Sequence, residues 1–262
     1  MVKVYKNLNV EKDQNISWVT LNRPHRLNAI DDVLIEELDD VLDVLEKDVD
    51  VRCVIITGEG DKAFSTGADL TIFSKMTPAK AEEFSRKGQK VFGKIEEMSK
   101  PVIAAINGLA LGGGLELAIA CDIRLIAEHG EMGSPEITLG LIPAWGGTQR
   151  LVRLVGLAKA KEIVMLGARL KADEALKMSL VNKVVRSSML RKEVRMLASN
   201  LCGMSPIALK YVKHALNFGT QAPMETGLRL ETSLLGLILS TDDFKKGVDT
   251  FLLRRKAELK GI

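Results

Sequence analysis

The stretch PVIAAINGLALGGGLELAIAC, residues 101–121, decides how this chain is read. Pro101–Ile106 is a short apolar run that ends at Asn107-Gly108, the pattern of a strand buried on both faces. Gly112-Gly113-Gly114 then turns the chain into Leu115–Cys121, which is apolar around its whole circumference, as a buried helix is. The stretch approaches the length of a membrane span, and only Asn107 and Glu116 interrupt it. Four glycines crowd its centre, however, and a carboxylate at mid-bilayer would cost about 2.5–3.5 kcal/mol. No basic flank sets an orientation. A strand–turn–helix inside a soluble fold is the expectation.

The same alternation extends to both sides. Ile16–Leu21 is β-rich and ends at Asn22-Arg23-Pro24; Val33–Val49 carries apolar residues at helical spacing with acids on its other face. Val51–Thr57 reads as a buried strand, Ala79–Met98 as an amphipathic helix, and Asp122–Ala127 followed by the segment from Ser134 repeats the order. Strands alternating with helices predict an α/β fold. From about residue 195 the chain is helical, with breaks at Gly203–Pro206, Gly219–Pro223 and Ser240–Asp243. Residues 1–195 are therefore expected to form a core domain and 196–262 a helical region. Met224–Leu239 is apolar on more of its surface than a solvated helix needs, which predicts deep burial or a subunit contact.

Composition narrows the functions. The 262 residues carry 37 Lys+Arg against 34 Asp+Glu, a net charge of +3, so no bulk field draws nucleic acid or an anionic membrane. Aromatic residues are only 4%, too few for base-stacking platforms, and an apolar fraction of 46% excludes disorder. Cys53, Cys121 and Cys202 are odd in number and far apart, which argues against a disulfide framework or a zinc site and suits a reducing, cytoplasmic setting. The charged N-terminus shows no signal peptide.

Two glutamates stand out. Glu116 opens the apolar helix after the glycine turn, where a carboxylate gains from free N–H groups and the helix dipole. Simple capping would explain it, but capping uses a solvated face, and burying a charge without purpose is costly. Glu136 lies in Ser134-Pro135-Glu136, which reads as a helix start with Ser134 as N-cap. The turns Phe64–Asp69 and Gly112–Gly114 could each expose backbone N–H groups to a carbonyl oxygen. Paired carboxylates facing such donors suit proton transfer beside a thioester or ester carbonyl. His25, His129 and His214 are scattered in polar company and read as surface residues.

Taken in order, these segments resemble the enoyl-CoA hydratase (crotonase) superfamily. The matching pieces are Leu21-Asn22-Arg23-Pro24 with Leu27-Asn28-Ala29, Ala63-Phe64-Ser65-Thr66-Gly67-Ala68-Asp69-Leu70, and Asn107 through Leu117. Cys121-Asp122, Pro135-Glu136, Gly140, Ile142-Pro143, Gly146 through Leu151, and Phe251 through Lys256 continue them. The resemblance implies a right-handed spiral of ββα units and a C-terminal helical trimerisation region, with trimers pairing into hexamers. It implies an acyl-CoA thioester substrate, no metal and no redox cofactor. The backbone N–H groups of Ala68 and Gly113 would form the oxyanion hole, and Glu116 and Glu136 would share the catalytic water.

Hydration of a trans-2-enoyl-CoA, or dehydration of a 3-hydroxyacyl-CoA, follows from that pair. By the same resemblance Arg26, Lys62, Thr66, Ala68, Asp69, Leu70 and Arg254 would meet the CoA moiety. Ala144-Trp145 departs from the family's usual Gly-Ala. Trp145 either closes the acyl pocket, favouring short chains such as crotonyl or 3-hydroxypropionyl, or packs facing away. The competing readings are a double-bond isomerase or acyl-CoA hydrolase on the same fold, and a non-catalytic RNA-binding member. The last would use Lys80, Arg86, Lys87, Lys90 and Lys94, a basic line diluted by neighbouring glutamates.

Overall fold

The structure is a computed structural model that describes residues 4–253 and 259–261. An antiparallel pair, β1 (Leu8–Asp13) and β2 (Ile16–Leu21), leads into α1 (Asp32–Lys47). Two strands and a helix then recur: β3 (Cys53–Gly58), β4 (Ala63–Ser65) and α2 (Pro78–Glu97); β5 (Val102–Ile106), β6 (Leu109–Leu111) and α3 (Gly113–Ala120). The next turn brings β7 (Ile123–Ala127) and β8 (Glu131–Gly133), then a 3-10 segment (Pro135–Leu139) and the helices α4 (Gly147–Val155) and α5 (Leu157–Met165). β9 (Arg169–Lys171), α6 (Ala172–Lys177) and β10 (Lys183–Val185) close the sheets. The chain ends in α7 (Leu190–Cys202), α8 (Pro206–Gly219), α9 (Met224–Leu239) and α10 (Asp242–Leu252).

From β3 to β8 each turn gives its first strand to one sheet and its second to another, whereas β1 and β2 both join the larger sheet. The six-stranded sheet runs β1-β2-β3-β5-β7-β10 and the four-stranded one β4-β6-β8-β9. β2, β3, β5, β7 and β10 are mutually parallel, as strands joined by helical crossovers must be. This is the expected ββα spiral.

Burial on both faces explains the uninterrupted apolar strands. Val54, Ile56, Val102, Ala104 and Ile106 face the main core with α1, α2 and α3. Their neighbours Cys53, Ile55, Ile103 and Ala105 face a second cluster closed by Leu190, Val194 and Ala198 of α7. Cys53 and Cys121 are buried free thiols, and burial pushes both thiols up, Cys121 to about 12. α7 runs across residues 195–196 and packs on the sheet, while α8 and α9 have no buried residue in the single chain. Among the described residues no helix is long and apolar enough to cross a membrane.

The basic line on α2 is not free. Lys87 meets Glu36 at 3.2 Å, Lys90 meets Asp39 at 3.0 Å, and Lys94 bridges Asp39 and Asp43 of α1. Arg86 pairs within its own helix with Glu82. Those acids neutralise the stripe that an RNA-binding role would need.

Candidate active site

α3 begins where the glycine turn requires it. Gly112 adopts φ +54, and its N–H donates to the Gly133 carbonyl of β8 at 2.9 Å. The turn before Asp69 packs directly on this helix start: a Cβ on Gly67, itself at φ +86, would lie 2.6 Å from the Gly113 nitrogen. No side chain can therefore stand between the two segments. Ile30 forms an isolated parallel bridge with Ala68, receiving the Asp69 N–H at 2.8 Å and donating to the Gly67 carbonyl at 2.7 Å. In such a bridge the N–H of Ala68 itself points away from Ile30. Gly113 is the first residue of α3, so its N–H has no partner within the helix.

Both segments open on a cavity of about 300 Å³ lined by Ala68, Gly113, Glu116, Glu136, Phe84 and Trp145, among others. Glu116 is 3% exposed. One of its oxygens accepts the backbone N–H groups of Trp145 at 2.8 Å and Gly147 at 2.7 Å. The capping explanation fails, since these donors are Trp145 just before α4 and Gly147, the first residue of α4, and not members of its own helix. Burial pushes the Glu116 carboxyl up to about 7, and the nearby Glu136 adds to the rise. The two N–H donors and Arg150 pull the other way. A carboxyl that titrates near neutrality inside an apolar cavity is suited to giving and taking protons.

Glu136 reaches the same cavity from the 3-10 segment. Ser134 holds the expected N-cap position before Pro135, at the start of a 3-10 segment, but its side chain makes no capping bond: its buried hydroxyl donates instead to the Glu136 carboxylate at 2.8 Å.

Trp145 is packed and lines the cavity at once. Its ring lies edge-on to Phe84 at 5.1 Å and Phe92 at 5.5 Å, and it is 3% exposed. A Cβ on Gly88 of α2 would lie 2.2 Å from the indole, and one on Gly113 2.4 Å. Only glycines leave room for it. Ala144, exposed on the cavity rim, turns its carbonyl to α2, where Ser85 donates at 2.7 Å and Gln89 at 2.9 Å.

The residues expected at the CoA moiety fall into two groups. Thr66, Ala68 and Leu70 line the cavity mouth, and Thr66 bonds through its N–H to the Leu27 carbonyl at 3.2 Å. Arg26, next to Leu27, and Lys62, just before β4, are exposed. The Asp69 carboxylate is committed to the protein: it accepts from Arg23 at 3.1 Å and from the Thr71 hydroxyl at 2.7 Å, which hold it below the usual carboxylate range. Arg254 lies outside the described residues.

Sequence reasoning did not find the anchors of Glu116 or the α2 side chains behind them. The glycines at 88, 146 and 147 were the available signal. His129, exposed and bonded to Ser187 and the Asp61 carbonyl, takes no part in the cavity.

An α/β spiral with a buried carboxylate beside a helix start defines a class, and the comparisons agree. Residues 11–261 match the family described as enoyl-CoA hydratase/isomerase, and the chain belongs to that family. It is 42% identical over 252 residues to the short-chain-enoyl-CoA hydratase of Clostridium acetobutylicum, covering 96% of this chain and 97% of that protein. It is also 42% identical over 253 residues to the crotonyl-CoA hydratase of Syntrophomonas wolfei, covering 97% of each. Among solved structures, the enoyl-CoA hydratase of Bacillus anthracis superimposes with a TM-score of 0.95 at 36% identity, covering 98% of this chain and all of that one.

Proposed function

We propose that this protein is a hydro-lyase that adds water reversibly to short-chain trans-2-enoyl-CoA thioesters. The observation that carries the reading is the convergence of Glu116 and Glu136 on one apolar cavity at the start of α3.

In hydration, Glu116 as carboxylate takes a proton from the water as its oxygen bonds to C3. The C2–C3 π electrons move onto the thioester oxygen, where the N–H groups of Ala68 and Gly113 and the α3 dipole stabilise the enolate. Glu136 delivers a proton to C2 as the enolate collapses, and the proton taken up by Glu116 passes back to Glu136 to reset the pair. Dehydration reverses each step. No electrons leave the substrate, so the reaction needs no redox cofactor. An isomerase moves one proton within its substrate and needs no second carboxylate beside a water. The pair therefore favours hydration.

Trp145 sets the chain length. Its indole, locked between Gly88 and Gly113 and backed by Phe84 and Phe92, occupies space beyond the reacting carbons that a longer acyl chain would need. Arg26 and Lys62 supply local positive charge for the CoA phosphates. The apolar residues exposed on α8 and α9, among them Leu216, Leu228, Leu235 and Leu239, support assembly into trimers or hexamers. Three free cysteines suit a reducing cytoplasm. The test is a panel of acryloyl-, crotonyl- and octenoyl-CoA, scored by loss of the conjugated thioester absorbance. Highest kcat/KM on the shortest members is expected. Absorbance that persists with all of them overturns the reading.

A further inference from the structure

The loop that holds Glu116 has two faces. Its N–H face donates to the carboxylate from Trp145 and Gly147. Its carbonyl face is held by three side chains, of which Ser85 also lines the cavity while Gln89 and Arg150 stand behind it. Ser85 and Gln89 both donate to the Ala144 carbonyl, and Arg150 donates to the Trp145 carbonyl at 2.9 Å. Arg150 is tied in turn to Glu96 at 2.7 Å. Ser85, Gly88, Gln89, Phe92 and Glu96 share one face of α2 by their spacing, and Gly88 and Phe92 of that face touch the indole of Trp145.

The guanidinium sits where it is expensive to keep. Its side chain is 14% exposed, and its Nε is buried with no hydrogen-bond partner among the described residues. Gly146 between the two faces is at φ +107, and a Cβ there would lie 2.0 Å from an Arg150 nitrogen. The backbone conformation thus calls for glycine at 146, and a side chain there would displace the guanidinium.

We propose that Ser85 and Gln89, which hold the Ala144 carbonyl and with it the Trp145 N–H of the same peptide unit, and the Arg150–Glu96 pair, which fixes the Trp145–Gly146 unit just before Gly147, are positioning residues that keep both N–H groups aimed at Glu116. This rests on Glu116 being the base of the hydration. Releasing Ser85 and Gln89 lets the unit that carries the Trp145 N–H rotate, and releasing Arg150 frees the unit on which the direction of the Gly147 N–H depends, so donors are lost from the carboxylate. The charged groups facing Glu116 are Glu136 across the cavity and Arg150 behind the loop, with Glu96 of α2 paired to Arg150; β4 and β6 contribute none.

The experiment compares Arg150→Met, Arg150→Lys and Gln89→Met with the wild type on crotonyl-CoA. Arg150→Met should lower kcat by on the order of 10²-fold, as about 1 Å of misplacement does, with KM within about twofold. Its acid limb in the kcat profile should move to higher pH. Gln89→Met should give a smaller loss in the same direction, and Arg150→Lys, which keeps a charge and a donor, should recover part of the rate. A substrate-free measurement runs beside it: the pH midpoint of the stability difference between each variant and its Glu116→Gln derivative. That midpoint should rise in Arg150→Met, where loss of the guanidinium charge contributes, and also in Gln89→Met, where no charge is lost and only the clamp is released. An unchanged kcat, acid limb and midpoint in folded Gln89→Met overturn the clamp, whatever Arg150→Met does. If the wild type fails to hydrate any thioester while the midpoint still rises in Gln89→Met, the proposed reaction falls and the clamp stands.

Discussion

Glu116→Gln should make the protein more stable while abolishing its turnover. In the folded chain the Glu116 carboxyl is raised from an ordinary value of 4.5 to about 7, chiefly because burial penalises the charged form. Below pH 4.5 the group is protonated in both the folded and unfolded states, and it has no effect. Between 4.5 and about 7 the unfolded chain releases the proton and the folded one keeps it, so stability falls as pH rises. Above about 7 the full cost is present, on the order of 3 kcal/mol. Glutamine is neutral, has the same shape, and its oxygen still accepts the N–H groups of Trp145 and Gly147. Urea denaturation of the wild type and the variant at a series of pH values isolates the effect. The variant should match the wild type near pH 4 and exceed it by about 3 kcal/mol at pH 9. A difference that is independent of pH, or that favours the wild type at pH 9, would refute the argument that burial dominates at this carboxylate.

Other outcomes follow from the same geometry. Glu136→Gln should lower kcat by on the order of 10²–10⁴-fold without loss of fold, measured on crotonyl-CoA beside a denaturation curve. Trp145→Ala should lose about 3–5 kcal/mol of stability and raise the kcat/KM ratio of octenoyl- to crotonyl-CoA; an unchanged ratio would mean that the indole only packs. Gly67→Ala, which puts a methyl 2.6 Å from the Gly113 nitrogen at a φ of +86, should cost about 10²–10³-fold in kcat through the oxyanion hole.

Much of this site was legible before any coordinates. The glycine triplet between two apolar runs specifies a strand, a turn and a helix start, and a carboxylate in such a setting is too costly to be incidental. What holds that carboxylate was not legible. Its donors come from residues 145 and 147, 29 and 31 positions later, and only the spiral brings them back over α3. Ser134 was legible as the N-cap residue, but the use of its hydroxyl on Glu136 instead of on the backbone was not. The basic line on α2 could be resolved only by its partner: the acids of α1 are a separate amphipathic pattern in sequence and one ion-pair seam in space. The apolar surplus of Met224–Leu239 was visible, and its exposure in the single chain removes deep burial as the explanation.

The central claim is that Glu116 and Glu136 together add water across a short enoyl thioester. The most direct measurement is the product formed from crotonyl-CoA by the purified protein in heavy water, identified by mass spectrometry. Rapid loss of the conjugated absorbance is expected, with a 3-hydroxybutyryl-CoA that carries one deuterium fixed at C2, and with product and label lowered at least on the order of 10²-fold in Glu116→Gln and Glu136→Gln. An unhydrated product with a migrated double bond, or free CoA released by hydrolysis, would contradict it.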